Sequence, residues 1–158
     1  MTDTSTLPQP QLEFVFEIRV DVAAELPVRT RPGDELGFIP ITGGTVTGPR
    51  FSGTVVPNSG GDWASHEAGT WHLDARYALR HDDGSVVEIW NRGYYRATTE
   101  QEARLAAGEA VSELELYYRC APTFSTDAAA HLWLTAHQFV GMIRNEAGRI
   151  CIRLFLLL

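Results

Sequence analysis

The 158-residue chain contains no lysine; all thirteen of its positive charges are arginine. Without an amine side chain there is no Schiff-base chemistry, no lysine-bearing phosphate loop and no kinase-type lysine. Positive charge is also in deficit, because twenty acidic residues leave a net charge of −7. A chain of this sign lacks the basic face that nucleic-acid binding requires. Cysteine is scarce too. Cys120 and Cys151 both fall in apolar, strand-like runs and read as a buried, reduced pair, too few and too far apart for a zinc site. No run reaches 18 apolar residues, so no membrane partner is expected. The polar opening has no basic and apolar signal regions, and the expected location is cytoplasmic. Nucleophile signatures such as G-x-S-x-G are missing. Thr42-Gly43-Gly44-Thr45 is not G-x-G-x-x-G and reads as a tight turn.

What the chain does contain is alternation. Leu12, Phe14, Phe16, Ile18 and Val20 share one face of a period-two segment, with Glu13, Glu17, Arg19 and Asp21 on the other. Trp71 to Arg80 repeats the pattern, and Asp82-Asp83-Gly84 turns it into a partner strand over Ser85 to Arg92. Further strands are predicted over Phe51–Val56, Val111–Cys120, Phe139–Arg144 and Gly148–Leu157. One helix is predicted from the capping box Thr99-Glu100-Gln101-Glu102, with a second helical turn after Thr126-Asp127. The last run, Ile150 to Leu158, is apolar on nearly both faces, as a central strand or a subunit interface would require. Together these features predict an all-β, single-domain antiparallel β-barrel, or a barrel-like sandwich, with one short helix over residues 11–158. Residues 1–10 read as a disordered arm.

Candidate chemistry concentrates in two places. Asn58 to Gly69 reads as a loop of about a dozen residues, in which Asp62 stands between a Gly pair and Trp63. A carboxylate beside an apolar ring has its pKa raised and can serve as a general acid or base. The bland reading is that Asp62 accepts loop amides while Trp63 plugs a barrel end. His72, Asp74 and Arg76 share one face of the next strand. On the solvent side they form a charge cluster; at a barrel mouth they would position a polar substrate. His72-x-Asp74 with His131 or His137 has the make-up of a two-histidine, one-carboxylate metal site, but the match is too slight, and no metal is expected.

Several short runs together resemble the domain of unknown function 3237 family, also called UPF 0311. They are Ile41 to Pro49, Gly60-Gly61-Asp62-Trp63, Leu73-Asp74-Ala75-Arg76-Tyr77, Asn91-Arg92-Gly93, Tyr118-Arg119, Ala121 to Phe124, Trp133-Leu134 and Phe139-Val140-Gly141. The resemblance implies a β-barrel that forms homo-oligomers and uses no cofactor. It also implies chemistry of the cyclisation or hydrolysis type on small polyketide-like molecules of secondary metabolism. The chain departs from the family pattern at Ser125-Thr126 and Thr135, where Glu-Thr and Asn are more usual.

The leading expectation is therefore a cofactor-free enzyme acting on a small, largely apolar carbonyl metabolite. Asp62 and Asp74 are its candidate acid/base residues, with Trp63, His66, His72, Arg76, Tyr77 and Arg119 lining the substrate. Because every fixed cation is a guanidinium, anion or carbonyl recognition would rest on Arg76 or Arg119. Two other readings stand beside it. One is a non-catalytic carrier using the same cavity; the other is a structural, oligomer-forming barrel with a filled interior.

Overall fold

Alternating apolar residues pair into long antiparallel ladders here because each strand can bury only one face. The computed structural model describes residue 4 and residues 6–158, so the arm expected over residues 1–10 falls partly outside the described residues. In chain order the strands are β1 (Leu12–Val22), β2 (Leu26–Arg31), β3 (Asp34–Thr47), β4 (Gly53–Val55), β5 (Gly60–Glu67), β6 (Thr70–His81) and β7 (Val86–Arg96). Helix α1 (Thr99–Ala106) follows, then β8 (Tyr117–Cys120), β9 (Thr123–Ser125), a 3-10 helix (Ala129–Thr135), β10 (Phe139–Glu146) and β11 (Arg149–Leu157). The pairings β1–β3–β5–β6–β7–β8–β10–β11–β1 close into an eight-strand antiparallel barrel. Among the described residues no helix is long and apolar enough to cross a membrane.

The wall position between β3 and β6 is filled by two short strands laid end to end. β4 pairs with Thr45–Val46 of β3 and with Leu79–His81 of β6. β5 pairs with Asp34–Ile41 of β3 and with Thr70–Arg76 of β6. The segment expected as a loop over Asn58 to Gly69 is therefore mostly a central strand. Its glycines serve close packing rather than flexibility: a side chain on Gly60 would collide with the Arg76 backbone. Thr42 to Thr45 is likewise strand and not turn. β3 bends there, with Gly44 at φ 140° so that it can lie against the Arg19 carbonyl.

Two other boundaries differ from expectation. The strand predicted from Val111 begins only at Tyr117, because Glu115 accepts the Ser112 amide and the Arg104 guanidinium and curls the chain. The helix is capped by Thr98 and not Thr99. Gln101 completes that box and also donates to the Glu115 carbonyl, while Glu102 is left to take the Tyr95 hydroxyl.

β11 is a central strand, bonded to β1 and β10. Its inner face, Ile152, Leu154 and Leu156, is core; on its outer face Cys151 is fully buried. Three arginines and three glutamates cover this face, with Glu17 paired to Arg19, Arg144 and Arg153, Glu146 to Arg19 and Arg144, and Glu113 to Arg144 and Arg153. One half of the barrel is packed solid. Phe16 meets Phe51 and Phe124 at centroid separations of 5.3 and 6.2 Å, and Phe124 meets Phe139 at 5.1 Å.

Candidate active site

The other half of the barrel is hollow. A cavity of about 280 Å³ opens inside the barrel, walled mainly by Val20, Ile39, Ile41, Ala75 and Ile152 of β1, β3, β6 and β11. A second space of about 250 Å³ shares Glu25, Ile39, Leu73 and Tyr118 with it and leads to a rim at Trp71, Tyr95 and Asn145. The first cavity is walled almost entirely by aliphatic and aromatic surface, whereas the second, with Glu25 and Asn145, is more polar; together they suit a largely apolar ligand.

Register explains which polar groups enter. Asp62 pairs with Ile39 on one side and Ala75 on the other, and Ala75 pairs with Asn91. Asp62, Ala75 and Asn91 therefore stand side by side on three neighbouring strands. The small Ala75 side chain leaves the space between the two polar residues open. The β5–β6 pairing is interrupted at Trp63 and Ala64, and there Asp62 Oδ1 accepts the Asp74 N–H at 2.8 Å. Two residues along β6, Tyr77 points the same way as Ala75 and is 3% exposed. Tyr118 enters from β8 and also lines the cavity.

The electrostatics of this group are unusual. Burial raises the Asp62 carboxyl to about 6; the nearby Asp74 charge adds to the rise, and the Asp74 N–H opposes it. Burial, with smaller contributions from Cys120 and Asp62, pushes the Tyr77 hydroxyl far above its ordinary range. Tyr118 rises for the same reasons. Among the described residues neither the Tyr77 hydroxyl nor the Asn91 Oδ1, both buried, has a hydrogen-bond partner. Cys120, bonded to the Asn91 side chain, has its thiol pushed up to about 12 by burial, so it is no nucleophile.

The remaining sequence candidates lie elsewhere. His72, Asp74 and Arg76 have the opposite parity to Ala75 and Tyr77 and face outwards. Asp74 accepts from the Trp90 indole at 2.6 Å, Arg76 pairs with Glu88 at 2.7 Å, and His72 packs edge-on to Tyr94. Asp62 and Asp74 thus touch through the wall without sharing a cavity. Trp63 is 49% exposed and packs at a tilt against Phe38 outside, so the carboxyl is desolvated by the cavity wall rather than by this ring. His66 sits at the rim, bonded to Glu35 at 2.8 Å and stacked on Trp71. Arg119 donates to the backbone carbonyls of Tyr118 and Glu113 on the outer face. Among the described residues no arginine lines the cavity.

His72 and Asp74 do not meet His131 or His137; His137 is bonded to the Trp133 carbonyl. Asn91 and Tyr118 were missed as site residues. The inward parity of Val87, Ile89 and Asn91 would have singled out the amide as a polar group on an apolar face.

The model of a family described as "Protein of unknown function (DUF3237)" matches residues 10–157. The chain belongs to this family. A UPF0311 protein of Clostridium acetobutylicum is 33% identical over 141 residues, spanning 87% of this chain and 88% of that protein. The crystal structure of a conserved protein of unknown function from Rhodopseudomonas palustris superposes with a TM-score of 0.85 at 30% identity, covering 97% of this chain and all of that one. A Penicillium herquei protein described as an enzyme has the same fold, with a TM-score of 0.73 at 20% identity over 98% of both chains. The same barrel is thus found in solved proteins of bacterial and fungal origin.

Proposed function

We propose that the barrel cavity takes a small, largely apolar carbonyl compound and that Asp62 performs acid/base catalysis on it without a cofactor. One observation carries the reading: a carboxyl with its pKa near 6 stands in an apolar cavity beside an unpartnered tyrosine hydroxyl and an unpartnered amide oxygen. A catalytic pKa close to the operating pH makes proton transfer efficient in both directions. Tyr77 donates to the substrate carbonyl and stabilises its developing negative charge, the role that sequence reasoning gave to Arg76. Asn91 Oδ1 accepts a substrate hydroxyl. Asp62 then moves the proton whose transfer permits ring closure or hydrolysis. The Penicillium herquei barrel, described as an enzyme, is compatible with this reading.

The test uses a panel of 1,3-diketones, aryl ketones and lactones, with exchange of the α-proton, ring closure or hydrolysis followed by NMR in deuterated buffer. Turnover is expected to change through an apparent pKa near 6, rising with pH if Asp62 acts as base and falling if it acts as acid. Asp62→Asn is expected to abolish it, with a thermal midpoint at pH 7 no lower than that of the parent. Turnover by the mutant at the parental rate overturns the assignment. Saturable binding of every probe without chemical change favours a carrier instead.

A further inference from the structure

The barrel end opposite the cavity is closed by Phe51 and two imidazoles. His81, the last residue of β6, has the same inward parity as Tyr77 and Leu79, whereas His72 has the outward one. His131 comes from the 3-10 helix and is 4% exposed. Their ring centroids are 4.3 Å apart, and Phe51 lies edge-on to both. Asp83, in the turn between β6 and β7, reaches both rings. Its Oδ1 is 3.1 Å from His81 Nδ1 and its Oδ2 is 3.0 Å from His131 Nε2. One candidate ligand atom from each residue lies within 4.8 Å of the other two.

Hydrogen bonding makes this arrangement short of positive charge. The Asp83 N–H points at His81 Nδ1 at 3.1 Å, which requires a lone pair on that nitrogen. The same lone pair faces Asp83 Oδ1 at 3.1 Å, so two acceptors are in contact. Such a contact repels unless a proton on Nδ1 or a metal ion lies between the two atoms. Asp83 Oδ1 also accepts the Ser85 N–H at 2.8 Å, which fixes the carboxylate in the turn. Tetrahedral ligands at the 2.0–2.2 Å bond lengths of zinc sites lie about 3.3–3.6 Å from one another, so the 3.1 and 3.0 Å separations need to open only slightly to admit the ion.

We propose that His81, Asp83 and His131 bind a divalent transition-metal ion through two imidazole nitrogens and one carboxylate oxygen. This mixed set suits zinc and its neighbours rather than calcium or magnesium, which prefer oxygen alone. The ion would tie the β6–β7 turn to the 3-10 helix, clamping the packed end of the barrel. The partly exposed Asp83 and His81 side chains give it access from solvent.

Chelator-treated, full-length protein titrated with Zn²⁺ in a calorimeter is expected to bind one equivalent and to gain thermal stability. Co²⁺ in its place is expected to give visible d–d bands. Asp83→Asn and His131→Gln should each weaken zinc binding tenfold or more, whereas His72→Gln and His137→Gln should leave it unchanged. If His131→Gln fails to fold, the exposed-turn variant Asp83→Asn and the Co²⁺ spectrum of the parent still decide the matter. Zinc binding of equal strength in Asp83→Asn and His81→Gln would overturn the proposal. So would a parent that takes up no zinc and shows by NMR a proton shared between His81 and Asp83.

Discussion

Asp62 is a carboxyl group whose surroundings favour its uncharged form, and this has a consequence for stability. Its pKa rises from 3.8 in the unfolded chain to about 6 in the barrel. The folded state therefore binds a proton more tightly than the unfolded state, and the stabilising contribution is complete below pH 4. It is lost as pH rises through 6, because the charged form is then buried. The loss amounts to ~2–3 kcal/mol. Urea titrations of the parent and of Asp62→Asn between pH 4 and 7.5 are expected to show the parent losing about this much relative to the variant. A difference that stays constant with pH would mean that the carboxyl is hydrated in the folded protein. Asp62 was legible in the sequence through its Gly-Gly-Asp-Trp setting, yet for a physically mistaken reason. The neighbouring Trp63 packs outside, and the desolvation comes from Ile39 and Ala75 on adjacent strands. Asn91 was illegible for a related reason. Its significance depends on standing beside Ala75 across a strand pairing, and the sequence holds that register only implicitly.

At the scale of elements, parity and turn residues carried most of the information. β1, β6 and β7 followed from alternation, and β11 from its apolar run. Errors arose where a local signal had two solutions. Thr98 and Thr99 can both begin a capping box; contacts of Gln101 with Glu115 and of Glu102 with Tyr95 decide between them. Glycine pairs read as loops because flexibility and close approach require the same residue, and only the Arg76 and Arg19 backbones reveal which need is being met. α1 has no buried residue, so its persistence depends on its caps and surface contacts. Thr98→Ala is expected to cost the helix about 1 kcal/mol. Hydrogen exchange would register this as roughly fivefold faster exchange of the amides of residues 101–106, with β11 amides unaffected. Equal acceleration in β11 would show that helix and barrel open together.

The whole molecule divides into a filled half and a hollow half, and the two should respond to substitution in opposite ways. Leu79 is fully buried at the packed end. Leu79→Ala is expected to destabilise the protein by ~2–5 kcal/mol, because it leaves a void among side chains that cannot close over it. Ala75 borders the cavity, where added atoms have room. Ala75→Leu is expected to leave stability unchanged or raised while abolishing binding of an apolar fluorescent probe such as 1-naphthol. Denaturant midpoints and probe titrations measure both. A large loss of stability in Ala75→Leu would show that the cavity wall cannot accommodate the larger side chain.

The wall built from β4 and β5 end to end has a bearing on inheritance of length. Between Val55 and Gly60 the chain leaves the β3 ladder and turns at Pro57 and Asn58, while Val56 N–H still donates to the Ala78 carbonyl and Ser59 Oγ accepts the Ala78 N–H. A codon gained beside Pro57 or Asn58 falls between these bonds and shifts neither register, and Asp62 keeps its aim. The same change between Gly60 and Asp62 would turn the carboxyl to the outside, since strand side chains alternate. The barrel thus has a joint where its length can drift, placed only four residues ahead of the carboxyl that lines its cavity.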